Sequence, residues 1–288
     1  MRYFLGCNFM RLVVQGAAIR TPHLQHIHQL CGVTASFMQI GEHAYYLQIS
    51  ATDVTEVKNF CNEQHIDCAL VDDKQRLSHF GLCVMDMDST LINIECIDEI
   101  AHIVGLKPQV AAITERAMLG EIDFAESLKA RVALLAGLEE SALHRVVDER
   151  LQLNPGAQEW IDTCKQHGIK TMLVSGGFTF FADKVKAMLG LDYAVSNTLE
   201  IIDGKLTGQI LGSIVDAQTK ADNLVKLRDS LGLSASQTIA IGDGANDLKM
   251  MAVAGVGVAY HAKPVVQSQA TYALNFVGLE GVIGLLTT

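Results

Sequence analysis

Cys83-Val84-Met85-Asp86-Met87-Asp88-Ser89-Thr90 is the stretch on which the reading of this chain turns. Leu82 to Met85 is short, bounded by Gly81 and apolar on both alternations, the pattern of a strand buried on both faces of a parallel sheet. Asp86 and Asp88 then fall at its carboxyl end, where open α/β sheets bind their ligands. Residues two apart on an extended chain point the same way, so the two carboxylates are expected to converge. Two such charges about 4 Å apart repel by roughly 4 kcal/mol at an effective dielectric near 20. Unless this is only an acidic loop after a strand, the pair needs a cation or a shared proton.

Downstream lies a block rich in helix formers. Helices are expected at Cys96–Val104, Pro108–Leu119, Phe124–Ala136 and Glu139–Arg150, with Gly105, Gly120 and Gly137 at their ends. After Asn154-Pro155-Gly156 strands and helices alternate. Helix 157–166 leads to strand 169–174, Ser175-Gly176-Gly177 and helix 179–189. Strands 200–202 and 206–210 flank the hairpin signal Asp203-Gly204. Helix 219–231, strand 238–241, the loop Gly242-Asp243-Gly244-Ala245-Asn246-Asp247, helix 248–254, strand 256–259, helix 264–269, strand 272–274 and a short last helix complete the pattern. Such alternation predicts a doubly wound parallel sheet of the Rossmann-like kind, with the helical block at about 94–153 inserted as a cap.

Upstream, strand 11–16, helix 21–32, strands 36–40 and 44–49, a helix capped by Thr52 or Asp53 and running to Gln64, and strand 67–71 make a βαββαβ order. That is the ferredoxin-like α+β arrangement. It resembles the ACT-type modules that bind amino acids, and the alternative is a structural or dimerising unit, so L-serine binding and a homodimer both stand as expectations. The charged run Asp72 to Arg76 separates a domain at 1–79 from one at 80–288. His23, His26 and His28 with Cys31 do not share one helical face and are expected to be a solvated surface rather than metal ligands.

A net charge of -10 over 288 residues argues against nucleic acid or an anionic membrane as a partner. Any phosphate site must be local. Seven cysteines without a Cys-x-x-Cys pair read as reduced thiols of a cytoplasmic protein. Phe4-Leu5-Gly6-Cys7 looks like a lipoprotein cleavage site but lacks a preceding apolar region. The run Met250 to Tyr260 is too short to span a bilayer.

Three strand-end clusters can share one crevice: Asp86 and Asp88, Ser175-Gly176, and Asp243 with Asn246 and Asp247, with Lys220 on the helix before the third. Backbone amides of Ser175-Gly176-Gly177, lying between a strand and a helix, are expected to point at an anion. Asp86 and Asp243 could hold a hard cation, and Mg2+ suits a few carboxylates plus water and phosphate. Together these residues point to phosphoryl transfer through an aspartyl-phosphate. Neither a Gly-x-Ser-x-Gly elbow nor a nucleoside-triphosphate loop is present.

Asp86-Met87-Asp88-Ser89-Thr90, Ser175-Gly176, Lys220 and Gly242-Asp243-Gly244-Ala245-Asn246-Asp247 resemble, in order, the four motifs of the haloacid dehalogenase superfamily. With Asn93, Glu95 and Val174-Ser175-Gly176-Gly177-Phe178, the likeness is to its phosphoserine phosphatase branch, and it covers about residues 80–288. The resemblance implies Mg2+-dependent hydrolysis of O-phospho-L-serine to L-serine and phosphate, the last step of serine biosynthesis. It implies Asp86 as nucleophile and Mg2+ ligand, and Asp88 as general acid/base and ligand through its main-chain carbonyl. Asp243 would be the third metal ligand and Asp247 a support for the metal site. Ser175, Gly176, Lys220 and Asn246 would hold the phosphate. On the cap side, Glu95 would take the substrate ammonium and Arg131 its carboxylate, with Met118 and Phe124 as apolar cover.

Overall fold

The computed structural model describes residues 10–50 and 53–287, so Phe4 to Cys7 and the capping role expected of Thr52 lie outside the described residues. The first unit runs β1 (Met10–Gln15), α1 (Thr21–Cys31), β2 (Met38–Gly41), β3 (Ala44–Ile49), α2 (Thr55–Glu63) and β4 (Asp67–Asp72). Its sheet is antiparallel in the order β2-β3-β1-β4, the spatial order of a split βαβ pair. Leu12 and Val14 of β1 face α1 and α2, joining Ile27, Leu47, Val57 and Cys61 in one core. The alternate residues Arg11, Val13 and Gln15 face the other way and are buried as well.

The second unit begins with β5 (Leu82–Met85). The cap helices follow as α3 (Cys96–Ile103), α4 (Lys107–Met118), α5 (Phe124–Ala133) and α6 (Ser141–Glu149), each within a few residues of its expected span. Then come α7 (Ala157–Gln166), β6 (Lys170–Phe178), α8 (Thr179–Leu189), β7 (Tyr193–Ile202), β8 (Lys205–Leu211), α9 (Ala217–Ser230), β9 (Thr238–Gly242), α10 (Leu248–Val253), β10 (Val256–Tyr260), α11 (Pro264–Gln267), β11 (Tyr272–Leu274) and α12 (Gly281–Leu286). The strands lie in the order β11-β10-β9-β5-β6-β7-β8, parallel throughout except for the terminal β7–β8 hairpin. Asp203 and Gly204 both take positive φ in its turn, 51° and 75°, as a type I′ connection requires. Cys83 and Met85 pack on one face of the sheet and Leu82 and Val84 on the other, so β5 is covered on both sides. Among the described residues no helix is long and apolar enough to cross a membrane.

Two expectations change. β7 starts at Tyr193 rather than Glu200, because its first half pairs in parallel with β6 and only its second half forms the hairpin. Its run Tyr-Ala-Val-Ser-Asn-Thr mixes polar and apolar residues and carries no clean period. β6 continues through Ser175-Gly176-Gly177 to Phe178 instead of stopping at Val174, with its pairing to β7 broken between those two residues.

Register fixes the site. Met85 is level with Leu173 of β6 and Ile241 of β9, so the residues after them emerge at one edge of the sheet. The N-terminal sheet is clasped to this unit from below. Arg11 Nη1 donates to Thr287 O at 2.6 Å and Gln15 Nε2 to Gly281 O at 3.0 Å. The buried Asp67 carboxylate accepts from the backbone N–H groups of Asn275, Phe276 and Val277 at 2.7, 2.9 and 3.0 Å. Replacing Asp67 by alanine would leave three donors without that acceptor. Asp67→Ala is expected to lower unfolding free energy by about 3 kcal/mol in urea titration. A loss under about 0.5 kcal/mol would show that other contacts hold this loop.

Candidate active site

Asp86 is the first residue past β5 and is almost wholly buried. Its Oδ1 accepts from Met87 N at 2.7 Å, and its Oδ2 lies 2.7 Å from Lys220 Nζ. Lys220 stands in the first turn of α9, 1% exposed, and its Nζ also donates to Asp247 Oδ1 at 2.8 Å. Burial pulls the lysine pKa down, but Asp86 and Asp247 outweigh it and leave the ammonium above its ordinary value. Asp247 Oδ2 accepts from Gly244 N, and Asp243 Oδ1 accepts from Thr90 Oγ1 at 3.1 Å. A Cβ on Gly242 would strike Asp247, and one on Gly244 would strike Asn246, which is why glycines bracket Asp243.

Asp86, Asp243 and Asp247 each bring an oxygen within 4.8 Å of the others. Among the described residues, Lys220 is the ammonium paired within this cluster, and it reaches two of the three carboxylates, Asp86 and Asp247. Burial first, then Asp86, raises Asp243 to about 6 and Asp247 to about 7, with Glu95 adding to the first and Lys220 opposing the second. Excess buried negative charge carried by oxygen donors is what a hard divalent cation neutralises, so the residues fit such an ion. Asp247 enters this cluster by its side chain, whereas Asp88 does not.

Asp86 and Asp88 line one cavity, yet they take different partners. The strand ends at Met85, so the spacing-two rule for extended chain lapses just where the carboxylates begin. Asp88 Oδ1 turns to the head of α3, accepting from Cys96 N at 3.4 Å. Burial, then Glu95 and Asp86, pushes the Asp88 carboxyl well above the ordinary range. Ser89 follows in the left-handed region at φ 57°, and its Oγ donates to Glu95 Oε1 at 2.7 Å. Burial raises Glu95 too, against the pull of Ser89 and Arg131. Arg131 of α5 donates through Nε to Ser127 O at 3.4 Å; burial lowers its pKa while Asp98, Glu95 and Asp88 act against that.

The cavity is lined from the core side by Asp86, Asp88, Ser175, Gly176, Asp243 and Asn246, and from the cap side by Glu95, Phe124 and Arg131. Met118 is not among its lining residues. It ends α4 and is 70% exposed, with Leu119 beside it also exposed and Gly120 at φ 75° following. The Ser175 turn also differs from expectation. Since the strand runs on, the Gly177 N–H is taken internally by Ser175 Oγ at 2.8 Å rather than left for an anion. A Cβ on Gly177 would come within 2.9 Å of Asp88 Oδ2, and one on Gly176 within 3.0 Å of Phe124 Cζ. Sequence reasoning assigned no role to Thr90 or Asn197. Thr90 adjoins the carboxylate pair and was within reach of that reading, but Asn197 is brought in only by the pairing of β7 with β6.

Residues 80–255 match the haloacid dehalogenase-like hydrolase family. The chain is 46% identical over 277 residues to the phosphoserine phosphatase of Haemophilus influenzae, covering 96% of this chain and 88% of that one. Its fold is similar to a HAD family hydrolase from Salmonella enterica serovar Typhi, with TM-score 0.89 at 32% identity over 97% of this chain and 98% of the other. It is also similar to a phosphoserine phosphatase solved as a phospho-aspartyl intermediate analogue, with TM-score 0.67 at 38% identity over 72% of this chain and 99% of that one. The chain belongs to the haloacid dehalogenase-like hydrolases.

Proposed function

We propose that this enzyme hydrolyses O-phospho-L-serine to L-serine and phosphate, with Asp86 as the nucleophile. The observation that carries the reading is one cavity bounded by Asp86, Asp88 and Ser175 on the core side and by Glu95 and Arg131 on the cap side. Phosphoserine presents complementary groups: a phosphate for the first set, an ammonium for Glu95, and a carboxylate for the guanidinium fork of Arg131. The names of the relatives support the same substrate.

Asp86 attacks phosphorus in line, and the bond from phosphorus to the serine oxygen breaks. Asp88, kept protonated by burial beside Glu95 and Asp86, gives its proton to that oxygen. Water then attacks the aspartyl-phosphate while Asp88 takes back a proton, releasing phosphate and restoring Asp86. Ser175, Gly176, Lys220 and Asn246 hold the phosphoryl oxygens, and Phe124 on the cap side of the cavity helps exclude bulk water. Mg2+ would be held by Asp86, Asp243 and the main-chain carbonyl of Asp88, steadied by Asp247. When bound, it would neutralise charge developing on the phosphoryl oxygens.

Asp86→Asn is expected to abolish turnover with the fold intact by circular dichroism; near-normal activity would sink the covalent route. Arg131→Ala should lower kcat/KM for phosphoserine about 10- to 100-fold, the loss of one charged hydrogen bond or two, and barely affect p-nitrophenyl phosphate. Equal loss on both esters would remove Arg131 from substrate recognition.

The pH behaviour of chelator-treated protein tests the carboxylate cluster. Folded-state values of about 6 for Asp243 and about 7 for Asp247 lie above the ordinary 3.8, so the folded protein holds these protons more tightly. Their stabilising contribution is full below the ordinary value of 3.8 and is lost progressively from there as pH rises to the folded values of about 6 and about 7. Tm without metal should fall across that window, and the rise in Tm on adding Mg2+ should grow with pH. A Mg2+ effect that is the same at both ends of the window would contradict the assigned cluster.

A further inference from the structure

Asn197 is a fully buried polar side chain in the middle of β7, and both ends of its amide are used. Nδ2 donates to Gly176 O at 2.7 Å, and Oδ1 accepts from Val215 N at 2.8 Å. The partners dictate which way the amide faces, since a carbonyl needs a donor and an N–H needs an acceptor. Its position in the sheet is unusual. The pairing of β6 with β7 lapses after Val174 and resumes where Phe178 meets Asn197. The Asn197 side chain therefore supplies the partner that the backbone ladder no longer gives to the Ser175–Gly177 stretch.

Both contacts lead to groups that the proposed function gives to the phosphate, Ser175 and Lys220. The Gly176 carbonyl belongs to the same peptide plane as the Gly177 N–H, and that N–H donates to Ser175 Oγ at 2.8 Å. With a lone pair so engaged, the Ser175 hydroxyl keeps its own proton for an acceptor in the cavity it lines. Val215, on the other side, directly precedes Asp216, whose carboxylate accepts from Thr219 N at 2.8 Å and caps α9. Lys220 stands in that capped turn, 2.7 Å from Asp86.

We propose that Asn197 is a positioning residue for the phosphoryl group. It fixes the peptide plane that aims the Ser175 hydroxyl and ties that plane to the helix start that carries Lys220. An aspartate here would keep the acceptor for Val215 N and turn a second acceptor toward the Gly176 carbonyl. A leucine of similar size would serve neither. The inference rests on the phosphatase reading for the identity of the anion, while inorganic phosphate can test the geometry without any ester.

The test uses the full chain with Mg2+ and measures the inhibition constant of inorganic phosphate, kcat and KM for phosphoserine and p-nitrophenyl phosphate, and Tm. Asn197→Asp and Asn197→Leu should each raise the phosphate constant roughly tenfold and cut kcat/KM for both esters by a common factor. In a Ser175→Ala background, Asn197→Asp should cost less than about twofold more, because its effect runs through that hydroxyl. A role confined to stability would lower Tm, leave the phosphate constant within twofold, and stay additive with Ser175→Ala; that result overturns the proposal. Should both Asn197 variants fail to fold, side-chain amide exchange in the unaltered protein decides. Phosphate should slow exchange of the Asn197 NH2 protons, and unchanged exchange overturns the idea. If phosphoserine is not turned over while phosphate still binds, the substrate reading fails and this inference is still tested by the phosphate arm.

Discussion

One buried ammonium held between two carboxylates governs this molecule. Lys220 reaches Asp86 at 2.7 Å and Asp247 at 2.8 Å with almost no exposure to water. A charge so placed is tolerable only when its partners are held at hydrogen-bonding distance, since desolvation costs several kcal/mol per ion. The sheet meets that demand by bringing β5 and β9 to one level, so that Asp86 and the 242–247 loop leave it side by side. Glycines at 242 and 244 then let the loop fold back on itself closely enough for Asp247 to be reached. The residual negative charge is what makes the same cluster receptive to a cation.

Much of this was legible in the sequence, and the reasons are particular. Cap helices announce themselves through amphipathic runs closed by Gly105, Gly120 and Gly137, and β5 through four apolar residues behind a glycine. Those signals are local. What failed depended on neighbours far along the chain. Ser175-Gly176-Gly177 looks like a turn because glycines make turns, yet a strand alongside it, bridged by Asn197, keeps it in the sheet. Asp86 and Asp88 do share one cavity, as their spacing suggests, but their separate hydrogen-bond partners, Lys220 and the start of α3, are tertiary facts the spacing does not show. Met118 could be aligned with a motif, but no local pattern shows that its side chain is exposed and outside the cavity lining.

The chain first crosses from core to cap over a short stretch between β5 and α3. Ser89 takes a left-handed conformation that costs a serine about 1–2 kcal/mol, and its backbone N–H is held by Ile94 O at 3.2 Å. Its hydroxyl reaches the Glu95 carboxylate just before α3 begins. Six residues therefore carry the chain from Asp88, which faces the core, to Glu95 and the cap, with the side chains of both ends still in one cavity. Local backbone strain substitutes there for a longer connection.

The clasp between Arg11 and the Thr287 carbonyl joins residues 276 positions apart. The face of β1 that carries Arg11, Val13 and Gln15 is covered by α12 and the residues around it, which are translated long after β1. The opposite face, built on Leu12, Val14 and the two helices above it, closes with neighbours made early. During synthesis the small sheet thus gains one side early and waits for the other until α12 emerges. An apolar, arginine-bearing underside is left open through that interval, and contacts of such long sequence separation close slowly. The small sheet therefore carries an exposed apolar face during synthesis until α12 is available to cover it.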